Sequence, residues 1–347
     1  MIRVGIAGLG FMGMVHYLSY EKVRGAKVAA ICEMNKKRLT GDWRDIQGNF
    51  GPAGKKMDLS GVNTTTSFDE MLADPQIDLI DITLPPAMHA SFAIKAMRAG
   101  KHVFCEKPMA LSTTDCAKML RASKSTGKQL FIGHVLPFFP EFAWALKAVR
   151  SGKYGKLLGG SFKRVISYPQ WLSNYWSAKH IGGPMLDLHV HDAHFIRLLF
   201  GMPTAVITNG RQRGELAEYW NTQFCYDKPK YAVQATSGTI AQQGRAFTHG
   251  FEIQLEKATL AFDFAVIGKE AKYLCPPTLF DNKGQAKAVK LGSGDPMDSF
   301  VSEIKEVLTC VRQDRESSIL DSNFARDAIL LCHKQTQSLA RGRSVKI

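Results

Sequence analysis

Asp187-Leu188-His189-Val190-His191-Asp192-Ala193-His194 packs three histidines and two carboxylates into eight residues. On an α-helix Asp187, His191 and His194 stand at i, i+4 and i+7 and share one face, with His189 and Asp192 turned away. Neutral imidazole and carboxylate are ordinary zinc or iron ligands. The same pair also suits proton transfer, a carboxylate tuning a histidine that acts as acid or base. A polar helix face that only hydrogen-bonds its neighbours is the third reading, and the stretch alone leaves all three open. A second candidate is Glu106-Lys107-Pro108, which follows the apolar run Val103-Phe104-Cys105. A lysine at the carboxyl end of a strand is placed to face a ligand crevice, where partial burial brings an amine into a useful range. As an isolated tripeptide, a surface turn is the simpler reading.

The elements that would position these groups begin at once. Arg3 to Ala7 reads as a short buried strand, followed by Gly8-Leu9-Gly10-Phe11-Met12-Gly13 and a helix carrying Met14, Val15 and Leu18. Strand, G-x-G-x-x-G and helix in that order describe a dinucleotide site. Gly8, Gly10 and Gly13 let the backbone turn and approach a pyrophosphate, and the helix start at Phe11 and Met12 stabilises its charge. A second strand, Val28 to Cys32, ends in Glu33, twenty residues past the third glycine, where a carboxylate accepts from the ribose hydroxyls. An acid there repels a 2′-phosphate and favours NAD. Lys36, Lys37 and Arg38 follow immediately and can accommodate the phosphate of NADP, which stays the alternative.

Arg44 to Val62 breaks the alternation with Gly48, Gly51, Pro52 and Gly54, and reads as a surface loop or a flap near the adenosine. Leu79 to Ile82 runs into Thr83-Leu84-Pro85-Pro86-Ala87-Met88-His89, a turn expected to line the cofactor through Pro85 and His89. His89, at a helix start, reads as a cap or packing residue rather than a catalyst. Ser112 with Asp115 looks like a helix start, Gly127 a helix end, and Leu130-Phe131-Ile132 closes a first domain at 1–132. From Ala205 to Lys290 short apolar alternations separated by Gly, Pro, Asn and Asp read as a meandering antiparallel sheet within a second domain, 133–347. Its last helix is expected to pack back on the first domain. Ser344 to Ile347 reads as a short edge strand.

Together, Gly8-x-Gly10-x-x-Gly13, the Pro85-to-His89 turn, Glu106-Lys107-Pro108 and the segment from Gly182-Gly183 to Asp187-x-x-x-His191 resemble the glucose-fructose oxidoreductase, inositol dehydrogenase and MocA family over nearly the whole chain. The resemblance implies an α/β protein: an N-terminal Rossmann dinucleotide-binding domain plus a C-terminal α+β domain with a large open, mostly antiparallel sheet that often makes oligomer contacts, here a homodimer or homotetramer. It implies hydride transfer between nicotinamide and a secondary alcohol of a sugar, cyclitol or related polyol. The family's catalytic positions are here Lys107, Asp187 and His191, and Glu106 and Lys107 also face the cofactor. Arg164 and Trp171, the latter in the aromatic-rich loop Tyr168 to Trp176, are expected to contact substrate. His194 stands where relatives commonly carry Asp and is a further expected substrate contact, and Pro137 stands where an arginine is expected. An imidazole near its unperturbed pKa of about 6.5 suits His191 as base, with Lys107 steering the same oxygen; the reverse division stays open. A nicotinamide acceptor removes the need for a metal, so none is expected. Rival readings are a redox-neutral NAD-dependent lyase or glycosidase, and a cofactor-sensing regulator that would need neither acid nor base.

Composition narrows the field further. The 347 residues, 45% hydrophobic and 22% charged, suffice for two cores. No apolar run nears the roughly 20 residues of a membrane span, and the opening Met1-Ile2-Arg3-Val4 leads into a strand rather than a signal peptide, so a cytoplasmic protein without a membrane partner is expected. Seven scattered cysteines without a C-x-x-C fit reduced thiols. The formal charge of +14 is spread along the chain with no nucleic-acid motif, so nucleic acid is not an expected partner.

Overall fold

The computed structural model describes residues 1–48, 51–170 and 174–347, so Trp171 lies outside the described residues. In chain order the first elements are β1 (Ile2–Ala7), α1 (Phe11–Glu21), β2 (Ala26–Cys32), α2 (Lys36–Leu39), β3 (Asn63–Thr65), α3 (Phe68–Ala73), β4 (Leu79–Ile82), α4 (Pro86–Arg98), β5 (His102–Glu106), α5 (Thr113–Thr126) and β6 (Leu130–Gly133). Then come α6 (Pro140–Arg150), β7 (Leu157–Ser167), a π-helical turn at Met185–His189, α7 (Val190–Phe200), β8 (Ala205–Arg213), β9 (Leu216–Cys225), β10 (Ala232–Ile240), β11 (Arg245–Leu255), β12 (Ala258–Ile267), β13 (Glu270–Asp281), β14 (Ala286–Ala288), α8 (Met297–Gln313), α9 (Ser322–Arg341) and β15 (Val345–Lys346).

Two units emerge: Met1–Phe139 with Ser293–Arg326, and Pro140–Gly292 with Asp327–Ile347. The first holds a six-stranded sheet of order β3-β2-β1-β4-β5-β6 in which every neighbouring pair is parallel. All four residues of β4 and of β6 are buried, as expected of strands covered on both faces. The order reverses between β1 and β4, which opens the crevice where doubly wound sheets bind ligands.

The sequence reading cuts the chain once, at 132/133, and returns the last helix. The first unit takes in α8, the helix before it, and the start of the last helix up to Arg326. Val301, Ile304, Val307 and Leu308 on its inner face are buried in the same core as Tyr17 and Tyr20 of α1, so α8 completes an apolar face that α1 cannot bury alone. In the glycine-rich insertion after α2 the two described limbs pair with each other, the Met57 N–H donating to the Gly41 carbonyl at 2.8 Å and the Gly54 N–H to the Ile46 carbonyl at 3.1 Å. Trp43 is fully buried, meets Tyr17 edge-on at 4.9 Å and donates its indole N–H to the Arg38 carbonyl at 2.9 Å.

The second unit carries a nine-stranded sheet, β14-β13-β12-β11-β7-β10-β9-β8-β15. It departs from a plain meander at one place: β7 enters between β11 and β10 and runs parallel to β10, while the other neighbours are antiparallel. Phe142 of α6 and Phe195 of α7 pack edge-on at 5.1 Å, and Phe142 meets Phe251 of β11 at 5.2 Å, so one aromatic cluster glues both helices to the sheet. Val345 pairs with Val206, the edge strand anticipated at the C-terminus. Among the described residues no helix is long and apolar enough to cross a membrane.

Replacing Trp43 with Ala should destabilise the first unit by about 3–5 kcal/mol, the usual cost of emptying a buried aromatic site. A urea midpoint unchanged from the parent protein would contradict the packing assigned to Trp43.

Candidate active site

In the first unit the crevice is built from three turns that follow β1, β4 and β5. After β1, Gly8 has φ +96°, a conformation side chains rarely adopt, and a Cβ there would press on the Thr83 carbonyl oxygen at 3.0 Å. A Cβ at Gly13 would collide with the Gly8 carbonyl oxygen, so α1 can begin this close to the strand only with glycine there. A Cβ at Gly10, by contrast, would meet nothing within 4 Å. The start of α1, where Phe11 and Met12 are half-buried, has no side-chain cap and no acidic residue in its first turn. Open space against an uncapped helix N-terminus fits a pyrophosphate.

Glu33 and Arg38 grip the peptides of this loop. Glu33 accepts from the Leu9 N–H at 2.6 Å and from the Asn35 N–H at 2.8 Å. Arg38 donates to the Leu9 carbonyl at 2.9 Å and pairs with Asp45, whose carboxyl it holds below the usual range. Both residues expected to touch the adenosine end therefore stand beside the glycine loop, held by it.

The second turn is tied to the first by Thr83, whose hydroxyl donates to the Gly8 carbonyl at 2.7 Å. Pro85 is exposed and opens α4. His89, expected at the cofactor-lining turn and read as a cap or packing residue, is packed inside that turn. It is fully buried, its ring nitrogens 2.7 Å from the Leu84 carbonyl and 2.8 Å from the Pro108 carbonyl, so the ring sits between the second turn and the third. Burial, the largest influence, pushes its pKa down.

The third turn carries Glu106, Lys107 and Pro108, with a cis Lys107–Pro108 bond. Glu106 is 6% exposed. One carboxylate oxygen accepts from the Lys107 N–H at 3.0 Å and the other faces His16 Nε2 at 3.1 Å. Lys107 is half-buried.

In the second unit, Gly182 and Gly183 have φ of +84° and +68° and lead through Pro184 into the π-helical turn Met185–His189, after which α7 runs to Phe200. The histidine-rich stretch is thus not one regular α-helix, and burial sorts its residues. From Gly182 to Ile196 only Asp187 and His191 are not buried. His194, expected on the same face, is fully buried. The wide π turn resets the helical phase between Asp187 and the residues after it, which simple i, i+4, i+7 counting does not foresee.

His189 is buried against Trp220 at 5.6 Å and meets the Ser237 hydroxyl at 2.7 Å; burial pushes its pKa down to about 4. Arg164, expected to contact substrate, is paired inside the second unit. At 5% exposure it donates to both oxygens of the buried Asp192, at 2.6 and 3.2 Å. Tyr175 is buried and Trp176 packs edge-on against it at 5.4 Å and against Tyr168 at 5.7 Å, so these aromatics first stack on one another. Among the described residues no three His, Cys, Asp or Glu side chains gather as a metal site would. Sequence reasoning passed over His16 and Glu303, both fully buried beside Glu106, because nothing local distinguishes them from core positions.

A doubly wound sheet with an uncapped glycine loop at its switch point, joined to a large open sheet, defines a two-unit dinucleotide-binding α/β protein. Residues 2–134 match the oxidoreductase family with an NAD-binding Rossmann fold, and residues 142–261 match the GFO/IDH/MocA C-terminal domain. The chain belongs to the GFO/IDH/MocA family. Myo-inositol 2-dehydrogenase of Thermotoga maritima is 27% identical over 362 aligned positions, covering 100% of this chain and 98% of that protein. A 2,7-anhydro-N-acetylneuraminate hydratase of Escherichia coli is 28% identical over 209 residues, 60% of this chain and 52% of that protein. The first four curated relatives are matched over only 52% to 57% of their own length. Levoglucosan dehydrogenase in complex with NADH and L-sorbose superposes with a TM-score of 0.81 at 19% identity over 100% of this chain and 98% of that one, a likeness of fold.

If Arg164 serves the core, Asp192→Ala leaves a buried guanidinium unpaired and should cost about 3–5 kcal/mol of stability. A variant with native stability that only binds substrate less well would return Arg164 to the substrate.

Proposed function

We propose that this protein is a nicotinamide-dependent oxidoreductase acting on a secondary alcohol of a sugar, cyclitol or related polyol. The observation that carries the reading is the delivery of Lys107 on a turn linked, through Pro108, His89, Leu84 and Thr83, to the glycine loop that fits a pyrophosphate. An amine at the carboxyl end of β5 then stands in the crevice that holds the cofactor. The family's sugar and inositol enzymes support the substrate class, since relatives include the inositol dehydrogenase above and a 1,5-anhydro-D-fructose reductase of Ensifer adhaerens.

The bound dinucleotide supplies the hydride acceptor or donor. Lys107 hydrogen-bonds the alcohol oxygen and steadies the charge that develops on it. His191 takes the hydroxyl proton, and Asp187, the other open position of its stretch, orients the imidazole or the substrate. The Glu33 carboxylate beside Leu9 repels a 2′-phosphate, which favours NAD over NADP. The E. coli hydratase favours a second reading, in which transient oxidation serves a redox-neutral elimination. Net appearance of reduced nicotinamide during turnover separates the two: the oxidoreductase accumulates it and the lyase does not.

The work of the chain in the cytoplasm, with its free thiols reduced, belongs to the same proposal. So does a homodimer or homotetramer through the large sheet, where Tyr273, Leu274 and Phe280 of β13 are exposed.

Lys107→Ala and His191→Ala should each lower kcat by about 10² to 10⁴-fold, as loss of an acid–base or charge-stabilising group does, with NAD affinity unchanged. Near-native turnover in either variant, screened against sugars and cyclitols by fluorescence of the reduced cofactor, would sink the assignment. Glu33→Ser should shift the NAD-to-NADP ratio of kcat/KM toward NADP by about tenfold or more, that is by ~1.4 kcal/mol. A parent protein that already prefers NADP would overturn the role given to Glu33.

A further inference from the structure

Beneath the Glu106-Lys107-Pro108 turn lies a buried cluster of ionisable groups that the proposed chemistry does not use. His16, one turn into α1, is fully buried. Its Nδ1 is 3.1 and 2.9 Å from the two carboxylate oxygens of Asp81 in β4, and its Nε2 is 3.1 Å from a carboxylate oxygen of Glu106 in β5. The ring stacks on Phe104 at 5.2 Å with 8° between planes, and Phe300 of α8 stands 6.2 Å away. A carboxylate oxygen only accepts, so both contacts are satisfied only when both ring nitrogens carry hydrogen. A neutral imidazole would turn a lone pair toward one of the carboxylates.

The surroundings agree with this arrangement from every packed element. Burial alone works against the charge on His16, but Asp81 and Glu106 outweigh it and raise the ring's pKa well above its ordinary value. Glu303 on α8 is fully buried; burial first, then Glu106 and Asp81, push its pKa well up, against the opposing pull of His16. Burial and Asp81 push the Tyr20 hydroxyl up, and burial and Glu106 do the same to the Cys105 thiol. The His16 ring thus stands between the Asp81 and Glu106 carboxylates in a fully buried site closed by Glu303, Tyr20 and Cys105.

The consequence runs to the reactive lysine. Glu106, braced by His16 on one oxygen, receives the Lys107 N–H on the other, while the next carbonyl, that of Pro108, lies against His89. Two buried histidines therefore hold the main chain on either side of the Lys107 side chain. We infer that His16 is a positioning residue: by bridging Asp81 and Glu106 it fixes the main chain from which Lys107 reaches the reacting oxygen. The inference rests on the role proposed for Lys107, and displacement of such a group by about 1 Å is enough to cost some 10²-fold in rate.

The test compares wild type with His16→Gln, in the full-length protein with NAD. His16→Gln should lower kcat by about 10- to 100-fold with KM and NAD affinity little changed. It should also alter the rate at which the Lys107 amine is reductively methylated, read by mass spectrometry on the peptide that bears it. Nitrogen NMR of wild type should show both His16 ring nitrogens protonated at neutral pH. A neutral His16 ring, or Lys107 labelling and kcat equal to wild type, overturns the inference. The labelling and NMR readouts need no substrate, so they decide it even if no polyol is turned over and the proposed function fails. Should His16→Gln not fold, Glu106→Gln keeps an acceptor for the Lys107 N–H but removes the charge facing His16; a fall in kcat and changed labelling support the bridge, and wild-type values for both overturn it.

Discussion

The His16 ring sealed between the Asp81 and Glu106 carboxylates is the constraint on which the first unit depends. Asp81 and Glu106 sit at the ends of adjacent parallel strands, β4 and β5, and both are buried. Two carboxylates so placed repel each other and lose their water, a cost of several kcal/mol per ion unless a counter-charge is supplied in good geometry. His16 supplies it from α1, the helix that also opens the cofactor cradle. The ion bridge therefore couples three elements at once: the helix behind the glycine loop, the strand that feeds the Thr83 turn and the strand that feeds Lys107. α8 seals the site with Phe300 and Glu303, which gives a physical reason for a C-terminal helix to belong to the N-terminal unit.

The crevice above that bridge is assembled from short polar links rather than from an apolar pocket. Thr83 ties the second turn to Gly8, and His89 ties it to Pro108. Such links hold backbone positions to within a few tenths of an ångström, which an apolar contact does less specifically, and they leave the outward-facing groups to the ligand. Glycine is required at Gly8 by its positive φ and at Gly13 by the approach of the Gly8 carbonyl, whereas the space over Gly10 stays open. The same loop thus combines one strained turn, one close contact and one cradle.

In the second unit a buried ion pair and an irregular helix decide which side chains face outward. Arg164 and Asp192 neutralise each other in the core beneath α7. The π turn at Met185–His189 leaves Asp187 and His191 as the open positions and buries His189, Asp192 and His194. His189, Asp192 and His194 are in this way assigned to packing, and Asp187 and His191 stay half-buried.

The sequence by itself determined much. Glycine spacing after a short strand, the acid at the end of the second strand and the lysine after the fifth specify a Rossmann unit and its crevice, because those features act through local backbone geometry and strand order. Period-two alternations likewise announced an open sheet in the second half. Only the tertiary structure decided the rest. That β7 enters between β10 and β11, that α8 joins the first core, that Arg164 is spent on Asp192, and that His16 bridges Asp81 and Glu106 all depend on groups 28 to 288 residues apart in the chain. Local propensity carries no information about such meetings. They follow from burial, which forces each charge to find a partner wherever the fold places one.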